Sequence, residues 1–190
     1  MTIRKAILSD AERIASYLML AMEDIVYEFI GQTDPEKARD FLLHFVQSEN
    51  NQYSYQNCFV LEEDHQVIAA INIYEGAKLE QFRAPISHYI KANFLKDFNP
   101  EDETQAGEYY IDSFGVNPDY QGKGIGAKML QYIIMTYVHQ KKQTLGLLVD
   151  EKNPNAQRLY LKMGFEPAGE KILVGKRMLH LQLKPSPLLH

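Results

Sequence analysis

Apolar positions along this chain recur with two periods, and the switches between them mark out its elements. The run "TIRKAIL" reads as a strand. "SDAERIASYLMLAM" places apolar residues at helical spacing behind an N-cap candidate, Ser9 or Asp10. "DPEKARDFLLHFVQ" predicts a second helix, with Asp34 as cap and Pro35 in its first turn. "NCFVLEE" and "QVIAAINIYE" are strand-like runs separated by Asp64 and His65, the pattern of an antiparallel hairpin.

Residues 77–107 carry a weaker pattern: "APISHYIKANFLKDF" has helical spacing, and "NPEDETQAGE" is a polar loop with Pro100 and Gly107. From Glu108 the signal sharpens. "EYYIDSFGV" is β-branched and aromatic, "NPDY" is a turn, and "AKMLQYIIMTYVHQ" is an apolar-periodic helix. "TLGLLVD" is a strand, and "NPNAQRLYLKM" a helix closed by Gly164 and followed by Phe165. "EKILVG" and "RMLHLQLK" resemble a closing antiparallel pair. The order β-α-α-β-β, a variable segment, then β-α-β-α-β-β predicts a mixed α/β sheet flanked by helices.

Composition narrows what such a sheet can serve. A chain of 190 residues, 45% hydrophobic, has the core for one domain, and no linker or repeat divides it. With 20 basic and 25 acidic residues the net charge is -5, and the longest basic run is Lys141–Lys142, so nucleic acid is not an expected partner. An acidic surface mildly favours cationic or amine partners. Cys58 is the only cysteine, which leaves no disulfide framework or cysteine-rich metal site, and its apolar setting reads as core. The first residues lack an apolar leader, and no apolar run approaches the roughly 20 residues that span a bilayer. The expectation is a cytoplasmic protein with no membrane partner and no metal.

The candidate chemistry begins at "VNPDYQGKGIGAKML", where Gly122, Gly124 and Gly126 stand at the entrance to a helix. A glycine-rich turn feeding a helix N-terminus clusters unpaired backbone N–H groups that can grip phosphate oxygens, and Lys123 can add a point charge. On the glycines alone, an ordinary turn and a phosphate loop are equally good readings. A Walker loop fails, because no pair of glycines has its spacing before Lys and Ser/Thr. Gly122, Gly124 and Ala127 satisfy the dinucleotide pattern, but the long strand-to-glycine gap and the short remainder of the chain leave no place for that fold's acidic ribose ligand.

Gln121, Gly124 and Gly126 form Q-x-x-G-x-G, and "SFGVNPDYQGKGIG" resembles the coenzyme-A loop of the GNAT N-acetyltransferases. A second block, "NPNAQRLYLKMGF", looks like that family's N-x-x-A-x-x-L-Y-x-K-x-G-F segment. The resemblance covers residues 108–184; residues 1–76 agree in element order only. It implies a single N-acetyltransferase domain over residues 1–190, with a mostly antiparallel central sheet, splayed central strands and acetyl-CoA as acyl donor. In it, amides around Gln121, Gly122, Lys123, Gly124, Ile125 and Gly126 hold the pyrophosphate, and the main chain of Phe114 and Val116 pairs with the pantetheine arm. Asn153 matches the asparagine that contacts the cofactor, and Tyr160 the tyrosine that protonates the departing thiolate. A tyrosine that merely packs its ring in an amphipathic helix is the reading of Tyr160 without the second motif.

Transfer to a primary amine makes a further demand. Near pKa 10.4 the amine is mostly protonated, and removing that proton at neutral pH costs roughly 4 to 5 kcal/mol. A carboxylate or water relay is therefore expected. Asp112 is the leading candidate, since alternation places Tyr110, Asp112 and Phe114 on one strand face if no bulge intervenes. Glu108 is the second choice, and His180 is read as structural or acceptor-facing. The expected acceptor is an amine of a small molecule or peptide, and a homodimer is consistent with the family. The alternative is a non-catalytic acyl-CoA-binding regulatory module. Tyr27, Phe29, Phe82 and Tyr89 are aromatic positions that an acceptor pocket or the core could use.

Overall fold

A computed structural model describes residues 1–186. The chain runs β1 (Thr2–Lys5), α1 (Ala11–Ile30), α2 (Pro35–Gln47), β2 (Cys58–Glu63), β3 (Gln66–Glu75) and α3 (Leu79–Phe94). It continues with β4 (Tyr109–Val116), α4 (Ile125–Ile134), β5 (Leu145–Asp150), α5 (Pro154–Lys162), β6 (Glu166–Leu173) and β7 (Lys176–Leu183). Among the described residues, seven strands form one sheet in the order β1-β2-β3-β4-β5-β7-β6. Every neighbouring pair is antiparallel except β4–β5. That parallel pair is the one joined by a helical crossover, α4, as parallel neighbours require. No helix among the described residues is long and apolar enough to cross a membrane.

Local chemistry explains most boundaries. Asp34 Oδ1 caps α2 by accepting from the Glu36 and Lys37 amides, both at 3.1 Å. Asp64 and His65 turn the β2–β3 hairpin with φ of 48° and 61°, the paired left-handed conformation of a two-residue turn. Asp10 does not cap α1 with its side chain. Its carboxylate accepts instead from the Ile7 amide (2.9 Å) and from the Arg4 guanidinium (2.7 Å), fastening the end of β1 to the helix start. Helix α1 also runs beyond the predicted stretch to Ile30, through a break in helical geometry at Met22. In the variable segment, α3 tolerates Pro85 inside it because Leu79, Ile86 and Ile90 are buried on both sides of the missing donor.

Two cores sandwich the sheet. Helices α1, α2 and α3 cover one face, where Leu18, Phe41 and Ile90 meet Val60 and Ala70. Helix α4 covers the other with Ile125, Met129 and Ile133 against Ile71, Ile111 and Leu147, and α5 packs its partly buried Leu159 and Tyr160 there. Successive residues of β3, Ala70 and Ile71, thus serve opposite cores, which is why that strand reads as continuous hydrophobic sequence.

Two features of β4 shape everything downstream. First, its register against β3 slips: Ile111 pairs with Ile73 and Ser113 with Asn72, so Asp112 is the extra residue of a β-bulge. The bulge overturns the expectation that Tyr110, Asp112 and Phe114 share a face. Tyr110 packs with Tyr74 on the α3 side, whereas Phe114 packs on the α4 side. Second, β4 pairs with β5 only at Tyr109–Leu145, Tyr110–Gly146 and Ile111–Leu147, and then the strands part.

Helix α1 crosses β4 at Gly115. A Cβ added there would lie 2.0 Å from the Tyr17 carbonyl oxygen, and both sides of that contact are backbone. Gly115→Ala should therefore push α1 off β4 and cost about 2 kcal/mol or more by overpacking. Urea denaturation of variant and parent checks this; equal midpoints would show that the helix has room to move.

Candidate active site

The loop after β4 is built to expose amides. Asn117 Oδ1 accepts from the Asp119 amide (3.0 Å), starting a tight turn over Pro118–Tyr120, and Gln121 Nε2 donates back to the Val116 carbonyl (3.2 Å). Gly122 and Gly124 follow with φ of 75° and 76°, a region where a side chain is strained, and nothing lies within 4 Å of an added Cβ at either. Gly124 is the N-cap residue of α4 and offers no capping side chain, so the first-turn amides of α4, including those of Ile125 and Gly126, point outward unpaired. The amides of Gly122, Lys123 and Gly124 have no backbone acceptor among the described residues. Gly126 plays a different part, resting 3.5 Å (from its would-be Cβ) against the Phe114 ring, so the helix start lies close on the strand. The Lys123 ammonium sits 4.7 Å above the Tyr120 ring.

Where β4 and β5 part, one strand edge is left open. The Asn117 amide donates to Ile68 on β3 (2.8 Å). Antiparallel alternation then turns the N–H and C=O groups of Phe114 and Val116 away from β3, into the gap. Behind that edge lies a cavity of about 420 Å³, lined from α1, β4, β5, α5 and two loops.

Tyr160 and Asn153 reach this cavity from the α5 side. Asn153 Oδ1 is committed to capping α5 through the Ala156 amide (3.1 Å), and its side-chain NH₂ donates to no other protein group among the described residues. The Tyr160 ring meets Phe165 edge-on at 5.9 Å, and burial alone pushes its phenol up to about 12, so it carries its proton at neutral pH.

Asp112, at the bulge in β4, also lines the cavity and accepts from Gln52 Nε2 at 2.8 Å. Burial, reinforced by the charge of Glu103, pushes its carboxyl up to about 7; the Gln52 hydrogen bond and Arg83 oppose the rise. Glu103, Gln52 and Arg83 carry no signal in the sequence. Glu103 sits in a polar, aperiodic loop, and only the fold brings it 4% exposed against the same Gln52 amide (2.5 Å).

Glu108 is not at the site. It lies at the closed end of the split, beneath Gly146, where an added Cβ would fall 2.1 Å from its Oε2. Thr104 (2.7 Å), His180 (2.9 Å) and Gln182 (2.7 Å) hydrogen-bond its carboxylate. Burial pushes Glu108 up, but those three partners outweigh it and the net shift is downward. His180 is thereby structural. Of the four aromatic positions considered for the acceptor pocket, Phe29 lines the cavity. Phe82 packs on Tyr74, Tyr89 stacks on His44, and Tyr27 donates to Glu23 (2.6 Å).

A parted sheet whose open edge runs from a glycine-opened helix start to a half-buried tyrosine and carboxylate is a candidate site for acyl transfer. Comparison with known proteins names the class further. The model of the acetyltransferase (GNAT) family matches residues 19–165, and the chain belongs to that family. Spermine/spermidine N(1)-acetyltransferase of Bacillus subtilis (strain 168) is 32% identical over 116 residues, spanning 57% of this chain and 76% of the relative. An N-acetyltransferase from Staphylococcus aureus Mu50 superposes with a TM-score of 0.80 at 23% identity, over 96% of this chain and all of the other. The yncA protein of Salmonella typhimurium, solved with its cofactor acetyl-CoA, gives 0.59 at 17% identity over 100% and 96% of the two chains. These two structures share the fold.

Two outcomes follow from this geometry. Gly124→Val, forced into a left-handed conformation, should cost about 1 kcal/mol or more of stability in urea denaturation. Glu108→Gln should cost about 1 to 3 kcal/mol of stability at pH 7. Because the folded pKa of Glu108 is depressed, its stabilisation is present above the unfolded value and is lost as pH falls through the folded one. Urea curves of parent and variant should therefore converge at acid pH; a constant gap would rule out the charged form as the stabilising species.

Proposed function

We propose that residues 1–190 act as one N-acetyltransferase domain that moves an acetyl group from acetyl-CoA to a primary amine by direct transfer in a ternary complex. The observation that carries this reading is that Tyr160 and Asp112 line one cavity at the point where β4 and β5 part. The amides of residues 122–126 suit a pyrophosphate, and the Asn153 NH₂ and the Phe114 and Val116 main chain suit the arm leading inward. Lys123 leaves the Tyr120 ring for the same phosphates.

Asp112 takes a proton from the incoming ammonium, and the neutral nitrogen forms its bond to the thioester carbonyl carbon. A main-chain amide beside Phe114 receives the carbonyl oxygen as charge develops on it. As the carbon–sulfur bond breaks, Tyr160 donates its proton to the departing thiolate, and the second proton of the attacking nitrogen passes to the Tyr160 oxygen, so that neutral amide, free thiol and the phenol result; burial keeps the proton on the phenol until then. The raised proton affinity of Asp112 narrows its mismatch with an amine near 10.4.

The acceptor is a cationic amine, because the inner wall of the cavity presents the carboxylates of Asp112 and Glu103. The spermine and spermidine named for the Bacillus relative make polyamines the first acceptors to test.

Release of free thiol from acetyl-CoA, measured across a panel of polyamines, amino acids and peptides, tests the reading. Tyr160→Phe should lower kcat about 100-fold with acetyl-CoA affinity nearly intact, the usual scale of a lost general acid. The base must be deprotonated to act, so kcat/KM should rise with pH through about 7 in the parent enzyme and lose that limb in Asp112→Asn. Tight acetyl-CoA binding with no thiol release on any amine would end the proposal.

A further inference from the structure

Glu103 belongs to no motif, yet the fold spends unusual effort on placing it. The loop that carries it is tied down from two sides. From α3, Arg83 donates to the Pro100 carbonyl (3.1 Å), the Glu101 carbonyl (3.1 Å), Asp102 (2.9 Å) and the Glu103 carboxylate. From the last hairpin, Lys171 donates to the Asp102 carbonyl (3.0 Å) and the Val174 amide to Glu101 (3.1 Å). The result is a carboxylate buried in the cavity wall, accepting also from the Tyr74 hydroxyl at 3.2 Å. One amide nitrogen, Gln52 Nε2, bridges it to Asp112.

We propose that Glu103 is a positioning residue for the transfer: with Gln52 and Arg83 it holds Asp112 facing the acceptor and gives the cavity a charge count that one ammonium completes. This rests on the reading of Asp112 as the group that takes the amine's proton. Asp102, which Arg83 also meets, is exposed and screened by solvent; within the buried cluster two carboxylates, Asp112 and Glu103, face one guanidinium, leaving one negative charge for the entering cation to balance. When the proton passes from nitrogen to Asp112, the amine and Asp112 both become neutral, and the Glu103–Arg83 pair remains. The site is thus neutral before and after the step, so no net charge is stranded in a poorly solvated cavity.

The groups around Asp112 support the assignment. Besides Glu103 and Arg83, it is faced by the phenols of Tyr53, Tyr74 and Tyr110 and by the Cys58 thiol. Burial pushes all three phenols well above their usual value and Cys58 up to about 12, so these groups do not ionise near neutral pH. Glu103 and Gln52 therefore act on Asp112 in opposite senses, the first favouring its protonated form and the second its carboxylate.

That opposition supplies the test, run on the full chain with spermidine or the best amine of the panel. In Glu103→Gln the acidic limb of kcat/KM should move about one pH unit or more lower, and KM for the amine should rise about tenfold. In Gln52→Met the limb should move higher. Loosening of the fold would not send the two variants in opposite directions. Limbs that stay in place, or that shift the same way, overturn the proposal. Should Glu103→Gln not fold, Gln52→Met decides alone, with a carbon-13 titration of the Asp112 carboxyl as a readout independent of turnover. Asp112→Asn separates the two readings. If that variant keeps the parental rate and limb, Asp112 is not the base. If it is inactive while Glu103→Gln behaves as the parent, only the role of Glu103 falls.

Discussion

The structure depends on the parting of β4 and β5. Parallel pairing holds for three residue pairs and stops at Ile111–Leu147, while β4 runs on to Val116 and β5 to Asp150. A strand edge inside a sheet, paired here only where Gln121 reaches the Val116 carbonyl, is costly unless something completes it. Here the missing strand's place is open to an extended ligand, and the core on each side is covered by helices that do not need the gap closed.

Two devices hold that opening. At its closed end Glu108 sits beneath Gly146 and ties the loop before β4 to His180 and Gln182 of β7, so the three strands cannot slide past one another. Just beyond, the bulge at Asp112 bends β4 away and reverses which residues face which core. A residue considered as a base thus acts as the pin of the hinge, and the bulge puts the other candidate into the cavity. Gly115 then lets α1 lie directly on β4, bringing Leu20 and Met22 to the cavity wall.

The two ends of the gap have opposite electrostatics. At the loop, unpaired amides at a helix start and Lys123 present partial and full positive charge. At the inner end, Asp112 and Glu103 present negative charge in a poorly solvated wall, with Arg83 compensating part of it. The two ends thus differ in the sign of charge they offer, and burial keeps the proton on Tyr160.

Much of this was legible in the chain because the signals are local. The period of apolar residues marked the strands and helices, Asp34 announced a cap, and the glycines at 122, 124 and 126 marked a turn at a helix start; the capping by Asn153 and the left-handed backbone at 122 and 124 came only with the structure. Gln121, Gly124, Asn153 and Tyr160 were singled out by the resemblance of two segments to the family's motifs. Other features arise from registers and contacts between distant residues. The bulge at Asp112 exists only in the pairing with β3; the locking of Glu108 needs β5 and β7; and Glu103 reaches Asp112 through Gln52, 60 residues away from that aspartate in the chain. The sequence by itself determined the elements and the phosphate-loop pattern, because backbone conformation and periodicity are properties of neighbours. The tertiary structure alone decided which carboxylate is locked between strands and which lines the cavity, because burial and charge depend on what the fold packs around each group.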